Sequence, residues 1–291
     1  MTPLPRALIL ALAFCFGLPL VQISGTLHGQ AVPTDSILAI AHRLFAEATL
    51  LANQGLHDEA ETRLWQTLSI REKALGLDHP DVALTLHNLG FIYNAQGRYE
   101  EAEPLLRRAL IIRETAFGPQ HLEVALTLNS LAFTYGVQSR YDKAEPLYER
   151  ALAIDEIVLG PNHLEVAHVL SNLGMLYDDL GRYAEARPIY ERVLVIREAT
   201  LGSSHPDVAN ILINLASLYH HQGRYAEAVP LYRRSLDIRR AELGPEHSDT
   251  SLALENLILA CELLFALPDV VQEQRSITAP ESMAMLCRLS P

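Results

Sequence analysis

Residues 79–120 read HPDVALTLHNLGFIYNAQGRYEEAEPLLRRALIIRETAFGPQ, and residues 121–162 read HLEVALTLNSLAFTYGVQSRYDKAEPLYERALAIDEIVLGPN. The two stretches are 42 residues apart and share most of their apolar places. The same step carries His79 to His121, His163, His205 and His247, and a glycine stands three residues before each (Gly76, Gly118, Gly160, Gly202, Gly244). Tyr93, Tyr135, Tyr177 and Tyr219 follow it, with Cys261 next. Ala60, Ala102, Ala144, Ala186 and Ala228 follow it too, as do Pro104, Pro146, Pro188 and Pro230. A repeat with this many columns in register is a repeat of structure.

Each repeat reads as two helices. Val82, Leu86, Leu89 and Tyr93 recur at helical spacing and make one face. Pro80 suits a first helical position, and Asp81 puts negative charge in the first turn. Gln96 to Tyr99 turns the chain. In the second helix Ala102, Leu106, Ala109 and Leu110 share a face, Pro104 is expected in the first turn, and Gly118 ends the helix in a left-handed cap. One such pair cannot bury its own apolar face, so neighbours must stack upon it. The expectation is an all-α chain, an α-solenoid of stacked antiparallel helix pairs. Five pairs are expected at 37–76, 79–118, 121–160, 163–202 and 205–244, then a terminal helix at 247–265. The first pair departs from the pattern, with Leu56-His57 in place of Arg-Tyr, as a capping repeat does.

Composition sets further bounds. The 291 residues carry a formal charge of −12, which argues against a phosphate-backbone partner, so no nucleic acid is expected. The apolar fraction of 49% is ample for a core, and three cysteines are too few to build a fold on disulfides. Residues 1–31 hold Arg6, an apolar run from Ala7 to Val21, and a small-x-small exit at Gly29-Gln30-Ala31. That pattern reads as a secretory signal peptide, with an uncleaved signal anchor as the alternative. The run is short for a membrane span and Pro19 interrupts it. A lipoprotein reading of Cys15 fails because Phe14 precedes it where a small residue is needed. An exported protein, periplasmic or secreted and free of the membrane after cleavage, is expected. The tail, 266–291, reads as a short helix followed by disorder. Cys261 and Cys287 read as two free thiols, with a disulfide that pins the tail as the alternative.

Leu89-Gly90, Tyr93, Ala102, Leu106 and Ala109 resemble the small and large positions of a tetratricopeptide repeat. The 42-residue period, His-Pro-Asp-Val-Ala at 79–83 and 205–209 and the Tyr-x-x-Ala-x-Pro-Leu-Tyr run make it similar to the repeats of kinesin light chains and their bacterial relatives. That resemblance implies a superhelix whose first helices line a concave groove. On the groove side fall Leu84, His87, Asn88, Phe91 and Ala95. Carried along the repeats, the candidate groove residues are Asn88, Phe91, Asn129, Phe133, Asn172, Met175, Asn214 and Asn256. Asn88, Asn172, Asn214 and Asn256 form a ladder broken by Ser130, and a carboxamide both donates and accepts, as an extended peptide backbone requires. The alternative is hydrogen bonding within the stack. Phe91, Phe133, Met175 and Ile213 suggest apolar pockets, and the basic residues that would grip a terminal carboxylate are absent from these places.

No catalytic set emerges. The repeat histidines are too far apart to share a metal ion and are expected to cap helices. His220 and His221, adjacent on a helix, make a poor metal pair. The column Arg108, Arg150, Arg192 and Arg234 reads as a solvated face laced with charge. The expectation is a non-enzymatic scaffold without cofactor or metal that binds a protein or extended peptide in its groove. The alternative is a structural module in which copies self-associate.

Overall fold

The computed structural model describes residues 34–266 and Cys287, and among these it contains eleven α-helices and no strand. They are α1 (Thr34–Asn53), α2 (His57–Leu75), α3 (Pro80–Ala95), α4 (Tyr99–Phe117), α5 (Leu122–Val137), α6 (Tyr141–Leu159), α7 (Leu164–Asp179), α8 (Tyr183–Leu201), α9 (Pro206–His221), α10 (Tyr225–Leu243) and α11 (Ser248–Ala266). The chain divides into two compact units, parting between Val158 and Leu159. In the N-terminal unit α1 packs on α2, α2 on α3, α3 on α4 and α4 on α5. In the C-terminal unit the same succession runs from α7 to α11. The signal peptide expected at 1–31 and most of the tail lie outside the described residues.

The repeat columns explain the helix ends. In each of five first helices the histidine is the N-cap, and its Nδ1 accepts the backbone N–H two residues on (His79 from Asp81, 3.1 Å; His121 from Glu123, 3.2 Å). His163, His205 and His247 do the same. The ring nitrogen thus replaces the side-chain oxygen of a usual cap. Gly76, Gly118, Gly160, Gly202 and Gly244 close the second helices at φ between 84° and 92°, a region that favours glycine. Pro104, Pro146, Pro188 and Pro230 depart from expectation, because they lie within the second helices and not in the first turn. α4 starts at Tyr99, so Pro104 is its sixth residue. All four prolines are exposed.

The core follows the predicted faces. Val82, Leu86, Leu89 and Tyr93 are at most 4% exposed. Gly90 lets α4 approach α3, because a Cβ there would meet Leu106 Cγ at 2.5 Å. A second set of contacts joins each pair to the next. Arg71 Nη1 donates to Asp81 O (2.9 Å) and Thr85 Oγ1 (2.9 Å), and Arg113 Nη1 to Glu123 O (3.0 Å) and Thr127 Oγ1 (2.6 Å). In the C-terminal unit Arg197 and Arg239 reach Asp207 O and Asp249 O in the same way. These arginines hold the 42-residue step, and the buried Asp155 stands at the place between them. Burial pushes each guanidinium below its ordinary pKa, and the carbonyl and hydroxyl partners offset that desolvation.

Two further expectations are corrected. Cys261 and Cys287 are not free thiols: they form a disulfide, with Cα atoms 6.0 Å apart. The first helix of the last repeat buries Cys261 in the tyrosine column, which leaves its sulfur within reach of the returning chain. The arginine column is also more than a solvated face. Arg108 pairs with Glu72 (2.6 Å), Arg150 with Glu114 (2.6 Å) and Arg234 with Glu198 (2.5 Å). Arg108, Arg150, Arg192 and Arg234 also donate to loop carbonyls of Leu77, Pro119, Pro161 and Ser203. Each thereby ties a second helix to the pair before it.

Candidate functional site

Within each unit the first helices form a layer of their own, α3 touching α5 and α7 touching α9. The eight candidate residues lie in that layer, and all are half-buried. Four belong to the N-terminal unit: Asn88 and Phe91 on α3, and Asn129 and Phe133 on α5. Four belong to the C-terminal unit: Asn172 and Met175 on α7, Asn214 on α9 and Asn256 on α11.

The asparagines are not equivalent. Asn88 Nδ2 donates to Leu84 O of its own helix (2.8 Å), and Ser130, where the ladder breaks, bonds Leu126 O in the same manner (3.1 Å). Asn129 and Asn172 have partners within the protein. Asn214 and Asn256 make no side-chain hydrogen bond among the described residues, so their carboxamides keep both functions for a ligand. Asn210, one turn before Asn214, is already bound to Arg239 Nη2 (3.0 Å).

His87 is a departure. It falls on the expected groove side yet is 6% exposed, with its Nδ1 buried and unbonded. Burial, and then the nearby Arg113 charge, hold its pKa well below the ordinary histidine value.

The layer changes character along the repeat. Asn94 on α3 accepts from Thr134 Oγ1 on α5 (3.0 Å). The equivalent place on α7 is Asp178, which meets His221 Nδ1 on α9 at 3.3 Å. That contact raises the His221 pKa, while burial lowers that of its neighbour His220. His220 lies edge-on to Tyr225, with ring centroids 5.1 Å apart. Asp179 follows at the C-terminal end of α7, where the helix dipole disfavours a carboxylate; burial and the charge of Asp178 push its pKa up. The sequence marked His220 and His221 but not their acidic neighbour, because the two are 43 residues apart. Among the described residues no three His, Cys, Asp or Glu side chains could hold a metal ion, and no helix is long and apolar enough to cross a membrane.

Stacked antiparallel pairs with a layer of half-exposed first-helix side chains define an α-solenoid of the protein-interaction kind. The sequence matches the tetratricopeptide repeat family over residues 38–115, 81–157, 123–199, 169–241 and 207–265, and the chain belongs to that family. Its repeats are a protein-interaction scaffold fold, typically non-catalytic. Among solved structures it is similar to a putative kinesin light chain with nearly identical TPR-like repeats from Podosopora anserina. That likeness has 26% identity and a TM-score of 0.59, covering 71% of this chain and 98% of the other. It is also similar to BtubC (BKLC) from P. vanneervenii, at 21% identity and TM-score 0.58, over 90% of this chain and 96% of the other. The apo form of RapI shares the fold at 18% identity and TM-score 0.64, over 84% of each chain. No curated protein is matched by the sequence.

Proposed function

We propose that this protein is an exported, non-enzymatic scaffold that binds an extended peptide or a protein segment on the first-helix layer of its repeats. The observation that carries the reading is the occurrence, within the C-terminal unit, of the half-exposed apolar Met175 in the same first-helix layer as the uncommitted carboxamides of Asn214 and Asn256. Apolar pockets supply affinity, and amides satisfy a backbone without selecting side chains. Export is supported by the charge and hydropathy pattern of residues 1–31, and a disulfide accords with an oxidising compartment.

The test is capture from the exported fraction with the chain from Val32 as bait, beside a Phe91→Glu, Phe133→Glu, Met175→Glu control. A protein enriched on the first bait and lost on the second supports the reading; equal capture by both refutes it. For the captured partner, Asn214→Ala with Asn256→Ala is expected to weaken affinity roughly thirtyfold, at about 1 kcal/mol per hydrogen bond, with helicity by circular dichroism unchanged. Unaltered affinity would remove the asparagines from the site.

Self-association is the second reading, favoured by the exposure of Ile111 (62%), Ile157 (76%) and Val195 (65%) on second helices. Light scattering at micromolar concentration separates the two, since a monomer excludes assembly.

A further inference from the structure

Tyr190 on α8 is 1% exposed, and its hydroxyl makes no hydrogen bond among the described residues. A buried hydroxyl without a partner costs stability. Its ring rests on α7 at Gly174, where an added Cβ would meet Cε1 at 2.5 Å and Cζ at 3.2 Å. Asp178 stands one turn further along that face of α7, and Asp179 ends the helix. Burial, and then the charges of Asp178 and Asp179, push the Tyr190 pKa well above its ordinary value. The free hydroxyl is therefore aimed at a pair of carboxylates.

The next repeat adds to the same cluster. Tyr232 on α10 is 3% exposed and shares a hydrogen bond with Ser217 on α9 (3.1 Å). Burial raises its pKa first, and the Asp178 charge adds to that against the Ser217 bond. Ser217 is one repeat on from Met175 in the candidate layer. The Asp178 side chain is 15% exposed and meets only His221 from α9. The cluster is negative, because the carbonyls at the end of α7 add to the two carboxylates. Arg182 and Arg224 in the turns already pair with Glu185 and Glu227. In the N-terminal unit the place of Asp178 is held by Asn94 and Gly136, and Asn94 is bonded to Thr134.

We propose that Asp178, Tyr190 and the Tyr232–Ser217 pair form a subsite for a lysine or arginine side chain of the peptide bound on the C-terminal unit. The inference rests on the peptide-binding reading of the first-helix layer and names the partner's chemistry. An ammonium or guanidinium group has donors only, and the cluster offers it a carboxylate and a phenol oxygen. An acidic side chain is repelled there, and an apolar one leaves the Tyr190 hydroxyl unpaired. Asn214, in the same unit, is placed to hold the backbone of that peptide.

Fluorescence anisotropy on the full chain tests this with capped peptides of alanine, serine and leucine that differ in one central residue: Lys, Arg, Gln or Glu. The Lys and Arg peptides are expected to bind roughly tenfold more tightly than the Gln peptide, and the Glu peptide most weakly. Asp178→Asn should abolish that preference, and Tyr190→Phe should cut it about threefold with the thermal midpoint undiminished. Tyr190→Phe removes an oxygen that nothing in the fold uses, so it decides the matter if Asp178→Asn does not fold. A lysine preference unchanged in Tyr190→Phe overturns the proposal. Equal affinity for all four peptides, weakened alike by Asn214→Ala with Asn256→Ala, overturns it and leaves the reading of the layer standing. Binding of none of them overturns both. Spermidine binding more tightly than the Lys peptide would make a free polyamine the ligand and also overturns the assignment.

Discussion

The two units share one repeat and tie it together differently. In the N-terminal unit a carboxylate bridges each pair to the next. Glu61 accepts from Tyr93 Oη (2.7 Å) and Arg98 Nη1 (2.6 Å), and Glu103 from Tyr135 Oη (3.0 Å) and Arg140 Nη1 (2.5 Å). Each arginine also lies over the tyrosine ring it accompanies, at 3.9 and 4.3 Å. In the C-terminal unit the matching places hold Arg187 and Val229. Arg224 still covers Tyr219, but it pairs with Glu227, one turn on. That unit relies instead on tyrosines within the pairs, a His–Asp contact and a disulfide at its end. A solenoid needs each joint closed, and the means of closure is free to vary.

The largest effect should come from the buried guanidinium. Arg113 is 1% exposed and meets a carbonyl, a hydroxyl and the Glu123 carboxylate, whereas Arg197 is half-buried and meets a carbonyl and Ser171. Arg113→Ala is expected to cost about 4 kcal/mol, and Arg197→Ala about half of that. Urea unfolding of each variant measures both, and equal costs would break the distinction between the units.

Next come the close approaches inside the pairs. Gly174→Ala pushes a methyl against the Tyr190 ring, and Gly90→Ala pushes one against the more pliable Leu106. The first should lose about 2 kcal/mol and the second about 1 kcal/mol, after the helix propensity gained by alanine. Thermal midpoints report the order, and a larger loss at Gly90 would reverse the argument.

A smaller effect of opposite sign is expected in the turn before α6. Ser139 holds φ 58°, where the C-terminal unit places Gly181 at φ 70°. Ser139→Gly should stabilise the N-terminal unit by about 1 kcal/mol, visible as a raised urea midpoint. No gain would mean that the serine is held without strain.

The smallest contrast concerns pH. His87 is kept neutral by burial, so its folded pKa lies below the unfolded value, and stability falls as pH drops below about 6.5. His221 has its pKa raised by Asp178, so its contribution is present below about 6.5 and fades as pH rises through the folded value. His87→Gln should flatten the acid loss and His221→Gln deepen it, in unfolding midpoints taken from pH 5 to 8. The same slope in both variants would show that neither histidine controls it.

The all-α stack is readable from the order of residues alone, because a period of 42 with helical spacing inside it admits little else. It also marked the histidine caps and the glycine stops, which are local and need only neighbouring backbone. The candidate layer was legible as a set of places. Which asparagines keep their amides free was not, because a carboxamide on a helix meets its own carbonyl four residues back or an arginine 29 residues on with equal ease. Cys261 filled a tyrosine column and looked like plain core. Its bond to Cys287 is fixed by the fold, because the pairing of two sulfurs depends on where the chain returns and not on their spacing. The arginines at 71, 113, 197 and 239 were not singled out in the sequence, because their burial rests on the carbonyls of the following helix. A charge is placed inside or outside by its partners, and partners distant along the chain are fixed by packing.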